Sequence, residues 1–345
     1  MMYVLGREDD PGQVADLGVH RAADGSAAAP VAVDLEHPHA ALVVGKRGSG
    51  KSHTLAVLAE GVAAADGVSG VVVDPMGGLR TLGALDGVTV EAPVVAAGAL
   101  PPRAWCGILD LDPAGPVGAL VWRAAGEAAT LAEMQSLVED STADPATRRA
   151  ASNHLAAARS WDVFGPDGLT ATDLVTGAVT VLDCSGVQTQ AANAVVRAIV
   201  DDLYRTAVAD EGVALPWVFV DEAHAFFDGV AGPGIDRLLT RGRHPGVSVV
   251  LATQRPAALP GVAISQADLL VAHRLTSSAD LEALEAARPT YLRESLTSRR
   301  PAETGEAIVV DDATEVARAI RVRDRTSPDG GASPCASKRA ATPTD

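Results

Sequence analysis

Short runs of apolar residues, several of them followed by segments with helical spacing, organise the middle of this chain. Because continuous apolar runs separated by helices are typical of a parallel sheet covered on both faces, we expect an α/β fold with a mainly parallel central sheet. The predicted strands are Ala40–Val44, Gly70–Asp74, Ala178–Asp183, Trp217–Asp221, Val247–Thr253 and Asp268–Arg274. The intervening segments that most resemble helices are Thr54–Glu60, Thr189–Ala209 and Ile235–Arg243.

The regions around these strands carry a different pattern. Residues 1–38 are rich in Gly, Asp and Pro and contain short apolar pieces, so they predict a short N-terminal β segment. The core is predicted to span residues 39–323. Within it, residues from about 100 to 165 show helical spacing without strand-like runs, which predicts a helical insertion.

The end of the chain combines two more patterns. Apolar runs at Glu306–Val310 and Ala319–Val322 predict a hairpin at the edge of the sheet. Residues 324–345 are rich in Ser, Pro, Gly and Ala, and we expect them to form a disordered tail.

The charge balance is strongly acidic. The 345 residues have a formal net charge of −16 and include only Lys46, Lys51 and Lys338 as lysines. This composition resembles that of halophilic proteins, whose acidic surface keeps them soluble in a high-salt cytoplasm. Acidic charge normally argues against a nucleic-acid partner, but screening weakens that argument in a halophile-like chain.

Cysteine usage and hydropathy bear on the compartment. Three widely spaced cysteines, Cys106, Cys184 and Cys335, form no zinc or disulfide pattern. No apolar run approaches the roughly 18 residues of a membrane span, and the N-terminus lacks a basic region followed by an apolar one. We therefore expect a cytoplasmic protein without a membrane segment.

The loop after the first core strand matches the phosphate-binding pattern G-x-x-x-x-G-K-[ST]. Its glycines let backbone N–H groups turn around a polyphosphate, and the following helix adds its positive end. Lys51 is expected to reach the β- and γ-phosphates, and the Ser52 hydroxyl to ligate Mg²⁺. The predicted nucleotide-binding residues, with ATP and Mg²⁺ as cofactors, are Gly45, Lys46, Arg47, Gly48, Ser49, Gly50, Lys51, Ser52 and His53.

Polar residues end the other predicted strands, where α/β sheets bind ligands. Asp221 follows four apolar residues as a Walker B aspartate does, so it is a second candidate for holding Mg²⁺. Glu222 comes next and is the candidate base for the water that attacks the γ-phosphate. Gln254 ends the strand expected to lie between Walker B and the phosphate loop, which makes it a candidate γ-phosphate sensor. Asp74 and Asp183 complete this polar edge.

Several arginines lie near the Walker B segment and the sensor strand. An arginine finger supplied by a neighbouring subunit stabilises charge on the transferred phosphoryl group. Arg241 and Arg243 are the candidates, although a solvated helix face is the better explanation for any one arginine taken alone. The other arginines in this set are Arg237, Arg255 and Arg274.

The letters Asp-Glu-Ala-His also spell the box of some two-lobed helicases. That interpretation requires a second RecA-like lobe, and only about 90 residues follow Gln254. We therefore expect His224 to be a packing or capping residue.

Together these segments resemble the HerA/FtsK superfamily of P-loop motor ATPases, in particular its archaeal HerA branch. The phrase Ala252-Thr-Gln-Arg-Pro256 on the strand after Walker B is the most characteristic match. The other matching segments within residues 30–322 are Gly45–Ser52, Val73–Gly77, Val179–Ser185, Val218–Glu222, Arg241–Leu251, Ser265–Asp268 and His273–Leu275.

The resemblance implies a RecA-like P-loop fold, a hexameric ring and ATP hydrolysis coupled to movement along DNA. HerA-type proteins also work with a NurA nuclease, which makes such a nuclease an implied partner. Two features depart from the family pattern. The N-terminal β-barrel is reduced to about 38 residues, and Gly78 replaces the acidic residue that the family carries there.

Three functions remain open at this stage. The first is a DNA translocase or helicase in DNA repair or processing. The second is a motor of the same fold that acts on protein, as in secretion or pilus assembly. The third is a nucleotide-dependent switch or scaffold, which the Walker B glutamate and the sensor glutamine make the weakest of the three.

Overall fold

The computed structural model describes residues 2–7, 11–22, 26–209, 214–286 and 301–330. Within these ranges a mixed sheet of twelve strands runs through the molecule. The strands are β1 Tyr3–Leu5, β2 Val14–Arg21, β3 Ala27–Asp34, β4 Ala40–Val44, β5 Val68–Asp74, β6 Val88–Glu91, β7 Val179–Asp183, β8 Leu215–Val220, β9 Ser248–Thr253, β10 Leu269–Ala272, β11 Glu306–Asp311 and β12 Val316–Val322.

Helices cover both faces of this sheet. They are α1 Lys51–Ala63, α2 Pro102–Ile108, α3 Pro116–Glu127, α4 Leu131–Glu139, α5 Pro145–Arg159, α6 Ala171–Thr176, α7 Thr189–Val208, α8 His224–Phe227, α9 Gly232–Arg241, α10 Gly261–Ser265 and α11 Ser278–Ala286. On one face α7 and α9 bury apolar side chains against the sheet, and on the other α1 packs against it, including its N-terminal strands. None of the helices in the described ranges is long and apolar enough to cross a membrane.

The centre of the sheet is parallel, in the order β10-β4-β9-β8-β5-β7-β6. The predicted α/β fold with a mainly parallel sheet is thus confirmed. The prediction that β9 lies between the phosphate-loop strand and the Walker B strand is confirmed as well, because β9 pairs with both β4 and β8. All of these strands end at one edge, here called the carboxyl edge, and begin at the opposite amino edge.

The predicted hairpin exists but does not lie at an edge. β11 pairs with β10 on one side and with β12 on the other, and β12 then pairs with β2. The N-terminal strands therefore extend the same sheet in the order β1-β3-β2 beyond β12. The sequence pattern missed β2 as a partner because its alternating residues give a weaker signal than a continuous apolar run.

A buried ionic cluster joins the N-terminal strands to the core at the amino edge. His39 is 3% exposed and has Nδ1 at 3.0 Å from Asp268 Oδ2 and Nε2 at 3.4 Å from Asp34 Oδ2. Arg7 donates to the other oxygen of Asp34 at 2.7 Å. Burial alone would lower the pKa of His39, but the hydrogen bonds to Asp268 and Asp34 raise it to about 9.

The predicted helical insertion consists of α2 to α5, which have a hydrophobic cluster of their own. Local sequence defines its helix starts. Thr130 and Glu133 form a reciprocal capping box before α4. Asp144 accepts the N–H groups of Ala146 and Thr147 before α5, whose first residue is Pro145.

The chain after β12 differs from the predicted disordered tail as far as Gly330. Glu60 of α1 is 5% exposed, and its carboxylate accepts the backbone N–H groups of Thr326 and Ser327 at 3.1 and 3.0 Å. Arg323 donates to the same carboxylate at 2.7 Å. A buried carboxylate thus holds a segment whose composition is poor in apolar residues. Residues 331–345 of the predicted tail lie outside the described residues.

Candidate nucleotide-binding site

The phosphate loop joins β4 to α1 at the carboxyl edge, as the sequence predicts. A side chain at Gly45 would place its Cβ 2.4 Å from Ser49 Oγ and 2.6 Å from His273 Cβ, so only glycine fits there. Gly48 has φ of +75°, in the left-handed region that favours glycine. The loop closes on itself through Ser49, which donates its backbone N–H and its hydroxyl to the Lys46 carbonyl.

Lys51 lies inside this loop and is 6% exposed. Its Nζ is 3.4 Å from the carbonyl oxygen of Lys46. Burial lowers the pKa of Lys51, against the opposing effect of the nearby Glu222 and Asp221 carboxylates. A buried cation with one long backbone contact has free donors for a polyanion, which is what binding the phosphates of a nucleotide requires.

Asp221 and Ser52 meet across the carboxyl edge. Ser52 Oγ donates to Asp221 Oδ2 at 2.8 Å, and the backbone N–H of Glu222 donates to Oδ1 at 2.8 Å. Burial, which leaves Asp221 only 2% exposed, raises its pKa. A hydroxyl and a carboxylate held together next to a phosphate loop are the oxygen donors that Mg²⁺ prefers, so the residues present fit this ion.

Glu222 has an unusual backbone and an unpaired carboxylate oxygen. Its φ of +48° lies in the left-handed region, which costs a non-glycine residue free energy. Its Oε2 is buried and has no hydrogen-bond partner in the described part of the chain. A strained residue with an unpaired oxygen at a binding edge is typical of a functional position.

Gln254 directly follows the end of β9, between the phosphate loop and the Walker B turn. Thr253 is in register with Val44, and its carbonyl accepts the N–H of Gly45 at 3.3 Å. On the other side, the N–H of Ala223 donates to the carbonyl of Ala252 at 2.8 Å. The half-buried Gln254 thus follows directly on a strand end bonded to both halves of the site.

His53 and the acids at the ends of β5 and β7 have other contacts. His53 Nε2 is 2.7 Å from the Arg323 carbonyl, so the ring faces the C-terminal segment and only its backbone N–H remains for a phosphate. Asp74 is fully buried and accepts the N–H groups of Met76, Gly77 and Leu79, which fixes the turn after β5. Asp183 accepts from Ser185 and pairs with Arg80.

Arg241 and Arg243 lie at the end of α9, on the side of the molecule away from the carboxyl edge. α9 leads from the carboxyl end of β8 back to the start of β9, and both arginines are exposed where it ends. Both arginines therefore lie away from the phosphate loop of their own chain.

The other arginines near the Walker B segment have different surroundings. Arg237 is 2.9 Å from Asp201 and lies over the ring of Tyr204, so it is held on the surface of α7. Arg255 and Arg274 are exposed at the carboxyl edge itself.

His273 forms hydrogen bonds to the phosphate-loop helix α1 and to the start of β11, and no sequence signal indicated this role. The ring is 2% exposed, with Nε2 at 2.8 Å from Thr54 Oγ1 of α1 and Nδ1 at 2.8 Å from the carbonyl of Glu306. Burial lowers the pKa of His273 to about 4, so the ring is neutral at pH 7. The next carbonyl, of Arg274, accepts the N–H of Lys46 at 2.8 Å.

Solved structures share this architecture, whereas no family model and no curated protein sequence matches the chain. VirB4 of Thermoanaerobacter pseudethanolicus has a TM-score of 0.68 at 17% identity, over 93% of this chain and 99% of that one. The bacterial conjugative coupling protein TrwB has a TM-score of 0.61 at 16% identity, over 94% of this chain and 91% of that one. This chain therefore shares the fold of VirB4 and TrwB.

A second structure of TrwB, in complex with the non-hydrolysable GTP analogue GDPNP, has a TM-score of 0.58 at 17% identity over 84% of this chain and 87% of that one. The fold that the resemblance of the sequence motifs implies is therefore confirmed. The RecA-like P-loop fold expected from the sequence is confirmed with it.

Proposed function

We propose that this protein is an ATP-hydrolysing motor that assembles into a ring and moves along DNA. The observation that carries the ATPase part is the meeting of Lys51, the Ser52–Asp221 pair and Glu222 at one edge of the sheet, with the tip of β9 beside them. The DNA part rests on the resemblance of the sequence motifs to HerA-type proteins.

Binding would begin at the loop. Backbone N–H groups at the start of α1 and the buried Lys51 ammonium offer positive charge to the β- and γ-phosphates. Ser52 and Asp221 would hold Mg²⁺, which when bound neutralises charge on these phosphates.

Glu222 is the residue that would activate water. Its buried, unpaired Oε2 can accept a proton from a water molecule that attacks the γ-phosphorus. The bond between the γ-phosphorus and the bridging oxygen breaks, and ADP and inorganic phosphate are the products. Gln254, at the tip of β9, is placed to respond to the loss of the γ-phosphate, and Arg241 or Arg243 would act on a neighbouring subunit's nucleotide.

The test is ATP turnover with and without duplex DNA at matched salt concentrations. We expect DNA to stimulate turnover, and we expect Lys51→Ala to abolish it. Arg149→Ala is the control, because Arg149 is an exposed cation of α5 in the helical insertion, so turnover should change little. If duplex DNA does not change the rate of ATP turnover at any of the salt concentrations, the DNA motor is excluded.

Assembly is tested separately by measuring the mass of the ATP-bound protein in the Glu222→Gln variant, which should retain ATP. We expect a ring, with six subunits as the family resemblance implies. A monomer under these conditions would remove the role proposed for Arg241 and Arg243.

The net charge of −16 favours a second candidate, a motor whose client is a protein, because an acidic surface repels the DNA backbone. That candidate predicts ATP turnover that DNA does not stimulate at any salt concentration. The same turnover assay therefore decides between the two clients.

A further inference from the structure

We propose that His224 is a positioning residue for hydrolysis, which links the Glu222 carboxylate to the end of β9 just before Gln254. The proposal rests on the ATPase function proposed above and adds to it a connection between the water-activating side chain and the sensor strand.

The contacts of one ring nitrogen carry the proposal. His224 Nδ1 is 3.1 Å from Thr253 Oγ1 and 3.4 Å from Glu222 Oε2. The second distance lies at ion-pair range without the geometry of a formed hydrogen bond, which leaves Oε2 unpaired within the described residues. A small shift of either side chain would close this contact.

The proton on His224 is assigned by what its neighbours can accept. Thr253 Oγ1 accepts the backbone N–H of Arg255 at 3.0 Å and can either accept from Nδ1 or donate to it, whereas an ionised Glu222 carboxylate can only accept. A proton on Nδ1 is therefore the state that suits Glu222, and Thr253 accommodates it. Burial, followed by the charge of Arg255, lowers the pKa of His224, so the ring carries a single proton at pH 7.

A backbone hydrogen bond also joins the turn after β8 to β9. The Glu222 φ of +48° turns the chain sharply after β8, and the next N–H, of Ala223, bonds to the Ala252 carbonyl of β9. The Walker B turn is thus attached to β9 by a backbone bond and by the His224 ring. A displacement of the β9 tip, where Gln254 would sense the γ-phosphate, moves Thr253 and with it the donor that orients Glu222.

The test compares three substitutions of His224. Asparagine places an amide N–H close to the position of Nδ1, glutamine places one near Nε2, and alanine places none. We expect kcat to fall about 10-fold in His224→Ala and His224→Gln, because a misplaced general base loses much of its effect. His224→Asn should recover most of kcat, and KM should stay within about twofold in all three. The matched control is His154→Ala, in the helical insertion.

Thr253→Val completes the argument, because it removes the hydroxyl and keeps the shape. If His224 acts through Thr253, the double variant Thr253→Val/His224→Ala should be no slower than the slower single variant. Equal kcat in all His224 variants, or fully additive losses, would overturn the proposal.

A measurement without turnover separates this proposal from the ATPase function. Nitrogen NMR of the histidine rings should show His224 protonated at Nδ1 in the wild type. A ring protonated only at Nε2 would refute the proposed link even in a fully active enzyme. Conversely, the Nδ1 tautomer in a protein without turnover would refute the ATPase function and leave the link in place.

Discussion

At the amino edge of the central sheet, His39 lies between Asp34 and Asp268. At the carboxyl edge, His224 lies between Glu222 and Thr253. The first ring has a carboxylate oxygen near each nitrogen and a pKa raised to about 9, whereas burial lowers the pKa of the second. The first cluster pairs its charges and joins two parts of the sheet. In the second, Glu222 Oε2 belongs to a strained residue and forms no hydrogen bond in the described part of the chain, so a substrate or water can use it.

The largest expected effect separates activity from stability at the carboxyl edge. Glu222→Gln should lower kcat by about 10²–10⁴-fold, since the general base is lost. The melting temperature should change little, because the substitution keeps the shape of the side chain and Glu222 Oε2 forms no hydrogen bond that would be lost within the described residues. Steady-state turnover and thermal unfolding on the same sample measure both, and a large drop in melting temperature would contradict this view of Glu222.

The opposite result is expected at the amino edge. Asp34→Ala leaves the buried Arg7 and His39 without a shared counter-charge, so the free energy of unfolding should fall by about 3–5 kcal/mol. Denaturant unfolding measures this loss. The kcat of the folded fraction should be that of the wild type, and a selective loss of turnover without destabilisation would remove the contrast between the edges.

Alkaline pH should weaken the amino-edge cluster. The pKa of His39 is about 9 in the folded state and 6.5 as its ordinary value, so its contribution is fully present below about pH 6.5 and is lost as pH rises through 9. The shift corresponds to roughly 3 kcal/mol of unfolding free energy. Unfolding at pH 6, 7.5 and 9 should show this slope, and the slope should disappear in His39→Gln.

The smallest effect concerns Glu60, a buried acid towards the end of α1 whose carboxylate is fully hydrogen-bonded. Glu60→Gln should lower the free energy needed to open residues 323–330 by about 1–2 kcal/mol, because charge-assisted hydrogen bonds become neutral ones. Hydrogen exchange at the Thr326 and Ser327 amides should become faster, and the exposed Glu91→Gln is the matched control. The Glu60 pKa of about 2 means that acidification from pH 4.5 towards 2 should release the segment in the wild type.

Local sequence was enough to predict the central strands and the phosphate loop. Runs such as Ala40–Val44 are buried on both faces, and their continuous apolar pattern is typical of strands in a parallel sheet that helices cover on both sides. The phosphate loop needs glycines at set spacings, so the sequence motif is enough to predict the conformation of the loop. The insertion of β9 next to β4 was expected from the arrangement shared by P-loop ATPases with a catalytic glutamate, once the Walker B pattern was recognised.

Contacts between distant segments were beyond that reasoning. Asp268 lies 229 residues from His39, and Thr253 lies 29 residues from His224, so no local pattern links them. The hairpin β11–β12 was visible as two apolar runs, but its place between β10 and β2 depends on which edge strand needs a partner. The order in residues 324–330 depends on one buried carboxylate of α1.

The sequence by itself determined which chemical groups this protein carries and the parallel sheet that presents them, because both follow from short-range spacing and burial. Only the tertiary structure decided which of those groups are paired. Pairing depends on distances between segments far apart in the chain, and it separates the His39 cluster, whose charges lie in ion pairs, from the Glu222 carboxylate, whose Oε2 forms no hydrogen bond within the described residues.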